Sequence, residues 1–305
     1  MTSTDDRSYR YVTAFFAMII VALVIGIGFE LSRQSMLSIQ KFGMGFWKGT
    51  TWDPVSGEFG ALPFIWGTLY SSFLALLIST PIALGIAIFI NEVSPSWMRM
   101  PLTYLTELLA AIPSIVYGLW GVFVLIPIIR KLELMLPDSL KTLPLFKGPP
   151  LGVGMGAAAV ILSIMVIPFS SAVAREILKG VPLNQREAAY ALGATRWEAI
   201  RVALGYGRTG VIGAVMLGLG RALGETMAVT MVIGNNPQVS TSLFAPQYTM
   251  AAVIANEFTE AADSLYLAAL VEIGLVLFVI TLIVNGLSRG LIWMMGRRTP
   301  GRAGA

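Results

Sequence analysis

The chain has 305 residues, 56% of them hydrophobic and 12% charged, with a net charge of +4 and a mean hydropathy of +0.76. That balance excludes an ordinary water-soluble domain. Neither cysteine nor histidine occurs, which excludes disulfide frameworks, thiol nucleophiles, Ser-His triads and HExxH zinc sites.

Apolar runs of about 18 residues or more read as membrane helices. Six occur: roughly Tyr11 to Phe29, Phe64 to Ile90, Tyr104 to Ile129, Leu151 to Ala174, Thr209 to Ile233 and Leu265 to Met295. None alternates with the period of two that a barrel strand needs, so an all-α integral membrane protein with six transmembrane helices is expected. The first run follows Arg7 and Arg10 but is too long for a signal core and lacks a small-x-small cleavage site, so it reads as a retained anchor. Pro113 and Pro168 interrupt the third and fourth runs, where kinks are expected.

An even number of spans puts both termini on one side. The loop from Asn235 to Ser264 has no Lys or Arg, whereas Arg175, Lys179, Arg186, Arg196, Arg201 and Arg208 crowd the loop before it. The basic loop and both termini are therefore placed in the cytoplasm. Arg130, Lys131, Lys141 and Lys147 fall outside on this scheme, against the trend. Because the basic residues flank spans in several loops and form no single stripe, membrane lipid is an expected partner and nucleic acid is not.

The resulting organisation is a cytoplasmic tail at 1–10, a first transmembrane helix with an external loop at 11–63, a five-helix core at 64–295, and a cytoplasmic tail at 296–305. Within the core, the polar loop at about 176–208 holds a helix-forming stretch from Glu187 to Arg201, with Ala188, Ala189, Ala191, Leu192 and Trp197 on its apolar side. Gly193 interrupts this stretch and permits a bend between two helices. It reads either as an amphipathic connector on the membrane surface or as a docking element for a cytoplasmic partner. No GxxxxGK[ST] sequence occurs, so any ATP used is bound by another chain, and no cofactor or metal is expected in this one.

The fifth run carries Arg221 and Glu225. A charge near a membrane-helix centre costs about 2.5–3.5 kcal/mol on insertion scales. With Arg221 at the midpoint of a helix from Thr209 to Ile233, a spacing of four puts both side chains on one face, close enough to pair. Two readings stay open: an ion pair closing a helix interface, or a functional site. Gly220 with Gly224, and Gly210 with Ala214 and Gly218, form two stripes of small residues for close packing, within this chain or against a second subunit.

The order Glu187-Ala188-Ala189, three residues, then Gly193-Ala194 resembles the EAA loop of type I ABC importer permeases, whose short coupling helix sits in a groove of the ATP-hydrolysing subunit. That pattern closes on a proline where this sequence has Gly205. The segments Thr80 to Glu92, Glu107 to Gly121 and Gly220 to Asn235 are similar to those of phosphate-specific transport permeases, the last resembling the C subunit more than its A partner.

The resemblance implies a MetI-like architecture in a bacterial inner membrane and a translocation subunit rather than an enzyme. It further implies a complex with a second, A-type permease, cytoplasmic ATP-binding subunits and an external phosphate-binding protein, importing inorganic phosphate. Arg221 and Glu225 would then line the pathway, paired at rest and partly exchanged for the anion in passage. Two alternatives are an ion-coupled secondary transporter, which needs midplane carboxylates whereas Glu107 and Glu272 lie near span ends, and an ABC permease for another oxyanion.

Overall fold

A backbone inside hydrocarbon must satisfy its own N–H and C=O groups, and this chain does so almost entirely with helices. The computed structural model describes the backbone of residues 3–297 and the side chains of residues 9–294. Among the described residues, six helices are long and apolar enough to cross a membrane. Parts of the expected tails, 1–2 and 298–305, lie outside the described residues.

Helix α1 (Ser3–Gln34) lies against the last helix and exposes most of its apolar surface. Helices α2 (Met36–Phe42) and α3 (Gly45–Lys48) and the two-residue strands β1 (Trp52–Asp53) and β2 (Glu58–Phe59) form a small cap. Its aromatic centre packs Phe46, Phe59, Phe64 and Tyr266 together. Glu257 pins this cap, accepting from Trp52 Nε1 at 2.8 Å and from the Tyr266 hydroxyl at 2.6 Å.

Helix α4 (Leu62–Ile88) takes Pro63 in its first turn, where no amide donor is lost, and ends in a π-helical turn, Phe89–Val93. The third apolar run is not one helix. Helix α5 (Ser96–Ala111) stops, Ile112 and Pro113 are extended at ψ 128° and 140°, and α6 (Ser114–Trp120) starts afresh. Proline lacks a donor and forces its predecessor out of the helical region, so a break replaces the expected kink. Through a π turn (Gly121–Leu125) α6 runs into α7 (Ile126–Met135), and the crossing helix is Ser114–Met135. A single turn, α8 (Asp138–Lys141), follows.

Helix α9 (Met155–Lys179) is the most buried of the six spans and continues through Pro168 without interruption. It packs against α4 and against α11, which follows α10 (Leu183–Ala191). Helix α11 (Arg196–Leu223) corrects the expected fifth span: it starts thirteen residues before Thr209 and stops ten before Ile233. The early start is a capping box, in which Glu198 N–H donates to Thr195 Oγ1 and Thr195 N–H donates to Glu198 Oε2. At about 1.5 Å per residue the helix is about 42 Å long, enough to cross the hydrocarbon and project beyond it. It ends at Gly224, a residue with poor helix propensity.

Beyond it lie the single turn α12 (Met227–Thr230), an irregular segment at 231–249, α13 (Met250–Glu257) and α14 (Ser264–Arg297). The irregular segment is packed inside the protein: Gln247 and Tyr248 are buried. Its carbonyls serve donors that would otherwise be orphaned at the start of α9. Gly154, Met155 and Gly156 N–H donate to Val232, Ala245 and Leu243 carbonyls at 3.0, 3.2 and 2.7 Å. From α4, Trp66 Nε1 and the Tyr70 hydroxyl donate to Ser240 and Thr241 carbonyls, both at 2.8 Å.

This contact requires glycine at position 67, where a Cβ would lie 2.1 Å from the Tyr248 carbonyl oxygen. Gly67→Ala is expected to destabilise the protein by about 1–3 kcal/mol, the usual cost of overpacking. A lowered thermal midpoint of the purified protein would verify the contact, and an unchanged one would contradict it.

Candidate functional site: a broken helix and its coupling loop

Arg221 and Glu225 do not share a helix. Arg221 is in the last turn of α11, and Glu225 lies past its end, one residue beyond Gly224. Among the described residues no ion pair joins them. The expected one-face pairing fails because it assumed helix through to Ile233, whereas the chain leaves the helix between the two charges.

Each charge is matched instead to a helix terminus. The positive guanidinium belongs to the last turn of α11, beside the negative end of that helix's dipole. Glu225 Oε1 accepts from Ala228 N–H at 3.4 Å, at the start of α12, where the amide donors are otherwise unsatisfied. Thr226 donates from Oγ1 to the Gly224 carbonyl at 3.3 Å, tightening the break. The consequence is a free cation: Arg221 is exposed and makes no hydrogen bond or ion pair among the described residues.

Its depth follows from its neighbours. A Cβ on Gly218 would meet Ser170 Oγ at 2.5 Å and Val166 Cγ1 at 3.0 Å, both near the middle of α9. Arg221 is one turn further along, so the charge sits near mid-span although its own helix is ending. The two stripes of small residues now separate. Gly210, Ala214 and Gly218 pack inside the chain, Gly210 against Ile177 of α9, whereas a Cβ on Gly220 would meet only Asn285 Oδ1 of the last helix, at 4.0 Å, and one on Gly224 nothing from another helix.

At the other end of α11 stands the loop singled out in the sequence. Glu187, Ala188 and Ala189 lie on α10, and Gly193 forms the turn into α11 at φ +84°, a conformation that favours glycine. The bend is present, though its second helix is the start of the long α11. Ala189 is buried, while Glu187 and Ala188 are exposed. Leu183, Tyr190, Leu192 and Trp197 add a large exposed apolar surface, with Leu192 90% exposed.

The structure adds residues that sequence reading passed over. Arg186 Nη2 pairs with Glu92 Oε1 at 2.7 Å, and the same guanidinium donates to the Leu178 and Val181 carbonyls at 2.9 and 3.0 Å. Arg196 donates to the Glu92 carbonyl, and Asn91 Nδ2 donates to the Arg175 carbonyl at 2.7 Å. The π-helical end of α4 is thus tied to α9, α10 and α11 at once. Glu107, expected near a span end, pairs with Arg175 at 3.3 Å.

A bundle of six crossing helices, a short exposed helix between the fourth and fifth, and a charge held at a break in the fifth are the build of a helical membrane permease. Residues 79–292 match the family described as the binding-protein-dependent transport system inner membrane component. The chain is 46% identical to the phosphate transport system permease protein PstC of Haemophilus influenzae, over 97% of this chain and 96% of that one. It is 43% identical to the protein of the same name from Mesorhizobium japonicum, over 96% and 92%.

Among solved structures, a bacterial ABC transporter involved in import of the acidic polysaccharide alginate superposes with a TM-score of 0.58 at 18% identity, covering 94% of this chain and 97% of that one. The inward-facing MetNI methionine ABC transporter superposes with a TM-score of 0.54 at 15% identity, covering 77% and 94%. These two show the fold, a MetI-like permease. The chain belongs to the PstC family of binding-protein-dependent, multi-pass inner membrane transport components.

Proposed function

We propose that this chain is the C-type permease subunit of an ATP-driven importer of inorganic phosphate, and that Arg221 is the residue the anion meets in the membrane. One observation carries the reading: a guanidinium near mid-span, exposed and without a hydrogen-bond or ion-pair partner among the described residues. A phosphate anion cannot cross a neutral hydrocarbon path cheaply, and arginine offers it two parallel charge-assisted hydrogen bonds at any relevant pH. The relatives named phosphate transport permeases support the choice of substrate. Glu225 holds the start of α12 and places a negative charge nearby, which favours release over tight retention.

ATP is hydrolysed on separate cytoplasmic subunits that receive α10. A second, A-type permease completes the pathway, an external phosphate-binding protein delivers the substrate, and both termini are cytoplasmic. The exposed apolar residues of α10 and the following turn are the docking surface in this scheme.

The test of the docking half is Gly193→Val. A β-branched residue at φ +84° is strained by roughly 1–2 kcal/mol, while no neighbouring atom opposes its side chain. Membrane insertion should be normal and co-purification of the ATPase subunits weakened. Undiminished co-purification from both this variant and Glu187→Trp would contradict the assignment of α10.

A further inference from the structure

Where α4, α5 and α9 end on the side of the α10 loop, a cavity of about 590 Å³ opens. Arg99, Arg175, Lys179 and Arg186 line it together with two carboxylates, Glu92 and Glu176. The carboxylates are engaged, Glu92 with Arg186 at 2.7 Å and Glu176 with Arg175 at 3.2 Å. Arg99 donates only through Nε to the Ser94 carbonyl, and Lys179 makes no hydrogen bond or ion pair among the described residues. The Nε atoms of Arg175 and Arg186 are buried without an acceptor. Arg175 is shared between Glu176 and Glu107, so Arg99 and Lys179 are the two cations of the cavity without a carboxylate partner among the described residues, the complement of an anion with several acceptor oxygens.

A second feature says which anion. An apolar groove of about 460 Å³, between α4 and α5, shares Ile90 with the basic cavity. Ile82, Gly85, Ile86, Phe89, Leu105 and Leu109 line it, running from the loop-side end of these helices toward the membrane interior. A free phosphate ion has no use for such a groove, whereas a phospholipid has a phosphate at one end and acyl chains at the other. Basic pockets at this boundary between transmembrane helices are where anionic headgroups are recognised.

We propose that the cavity and groove together hold one anionic phospholipid, its phosphate between Arg99 and Lys179 and an acyl chain between α4 and α5. The bound lipid joins the start of α5 to the π-helical end of α4 and the end of α9, the two elements tied to α10 through Arg186. The proposal does not depend on which solute the permease carries.

The test is native mass spectrometry of the assembled permease–ATPase complex, extracted from vesicles of phosphatidylglycerol mixed with phosphatidylcholine. Retained phosphatidylglycerol is expected on the unaltered complex, with a marked preference over phosphatidylcholine. Arg99→Gln with Lys179→Gln should lower its retention by about thirtyfold with subunit stoichiometry unchanged. Gly85→Leu, whose side chain enters open space in the groove, should lower it without touching a charge.

Absence of retained lipid, equal retention of both lipids, or retention unmoved by the double variant would overturn the proposal. So would binding of radiolabelled inorganic phosphate that falls with the Arg99→Gln and Lys179→Gln pair and is unchanged by Gly85→Leu, since the ligand of this cavity would then be the free ion. Protection of Gly85→Cys from a membrane-soluble thiol reagent only when the second permease is present would also overturn it, by assigning the groove to that subunit.

Discussion

Arg221→Lys is expected to reduce phosphate uptake per assembled complex by roughly tenfold to a hundredfold, the range for losing one charge-assisted hydrogen bond to a desolvated anion. The variant keeps a positive charge in the last turn of α11, so helix termination and assembly should be unaffected. What it loses is the planar fork that engages two oxygens at once. Arg221→Leu should lose more, because no cation then remains at the break. Uptake measured in proteoliposomes, normalised to intact complex, separates these variants from simple misassembly, and wild-type uptake by Arg221→Lys would show that a point charge suffices.

The second large effect is expected beyond the opposite end of α11, where α10 meets the π-helical end of α4. Arg186 and Glu92 are each about 85% buried, with side-chain exposures of 14% and 15%, and removing one partner strands the other. Breaking a buried pair of this kind typically costs about 3–5 kcal/mol. Arg186→Ala also leaves the Leu178 and Val181 carbonyls without their donor, so α10 should detach from the ends of α4 and α9. The expected outcome is a permease that still inserts but unfolds at a lower temperature and no longer transmits ATPase turnover to uptake. Arg186→Met with Glu92→Leu, which leaves no stranded charge, should recover much of the stability but not the coupling. Recovery of both would reduce the pair to packing.

The six crossing helices are legible in the sequence because the bilayer imposes length and apolarity on each of them, and these are properties of a run rather than of a contact. Even so, hydropathy alone displaces the fifth helix by ten to thirteen residues at its two ends. The run GLGRALGETMAVTMVIGN stays apolar on both sides of its charges, so hydropathy passes smoothly over the point where the helix ends. The boundary signals were present in other terms: Thr195 and Glu198 at capping-box spacing mark the start, and Gly224 marks the stop.

Reading Gly224 as a packing glycine hid its second role and made Arg221 and Glu225 appear as neighbours on a helix. The packed segment at 231–249 was not legible at all. Its irregular backbone is stable only because Trp66, Tyr70 and the first amides of α9 supply its partners from far along the chain. The Glu92–Arg186 pair spans 94 residues, and a polar residue at the edge of an apolar run carries no mark of its mate.

The most direct measurement of the central claim is phosphate uptake by the double variant Arg221→Leu with Glu225→Leu, compared with each single change and normalised to assembled complex. If the guanidinium is a free anion contact and Glu225 a separate support for α12, the double variant is at least as inactive as Arg221→Leu alone. Removing Glu225 then rescues nothing, because there is no pair to relieve. Uptake restored toward the unaltered level by the double change would contradict the account and return the two charges to a structural ion pair.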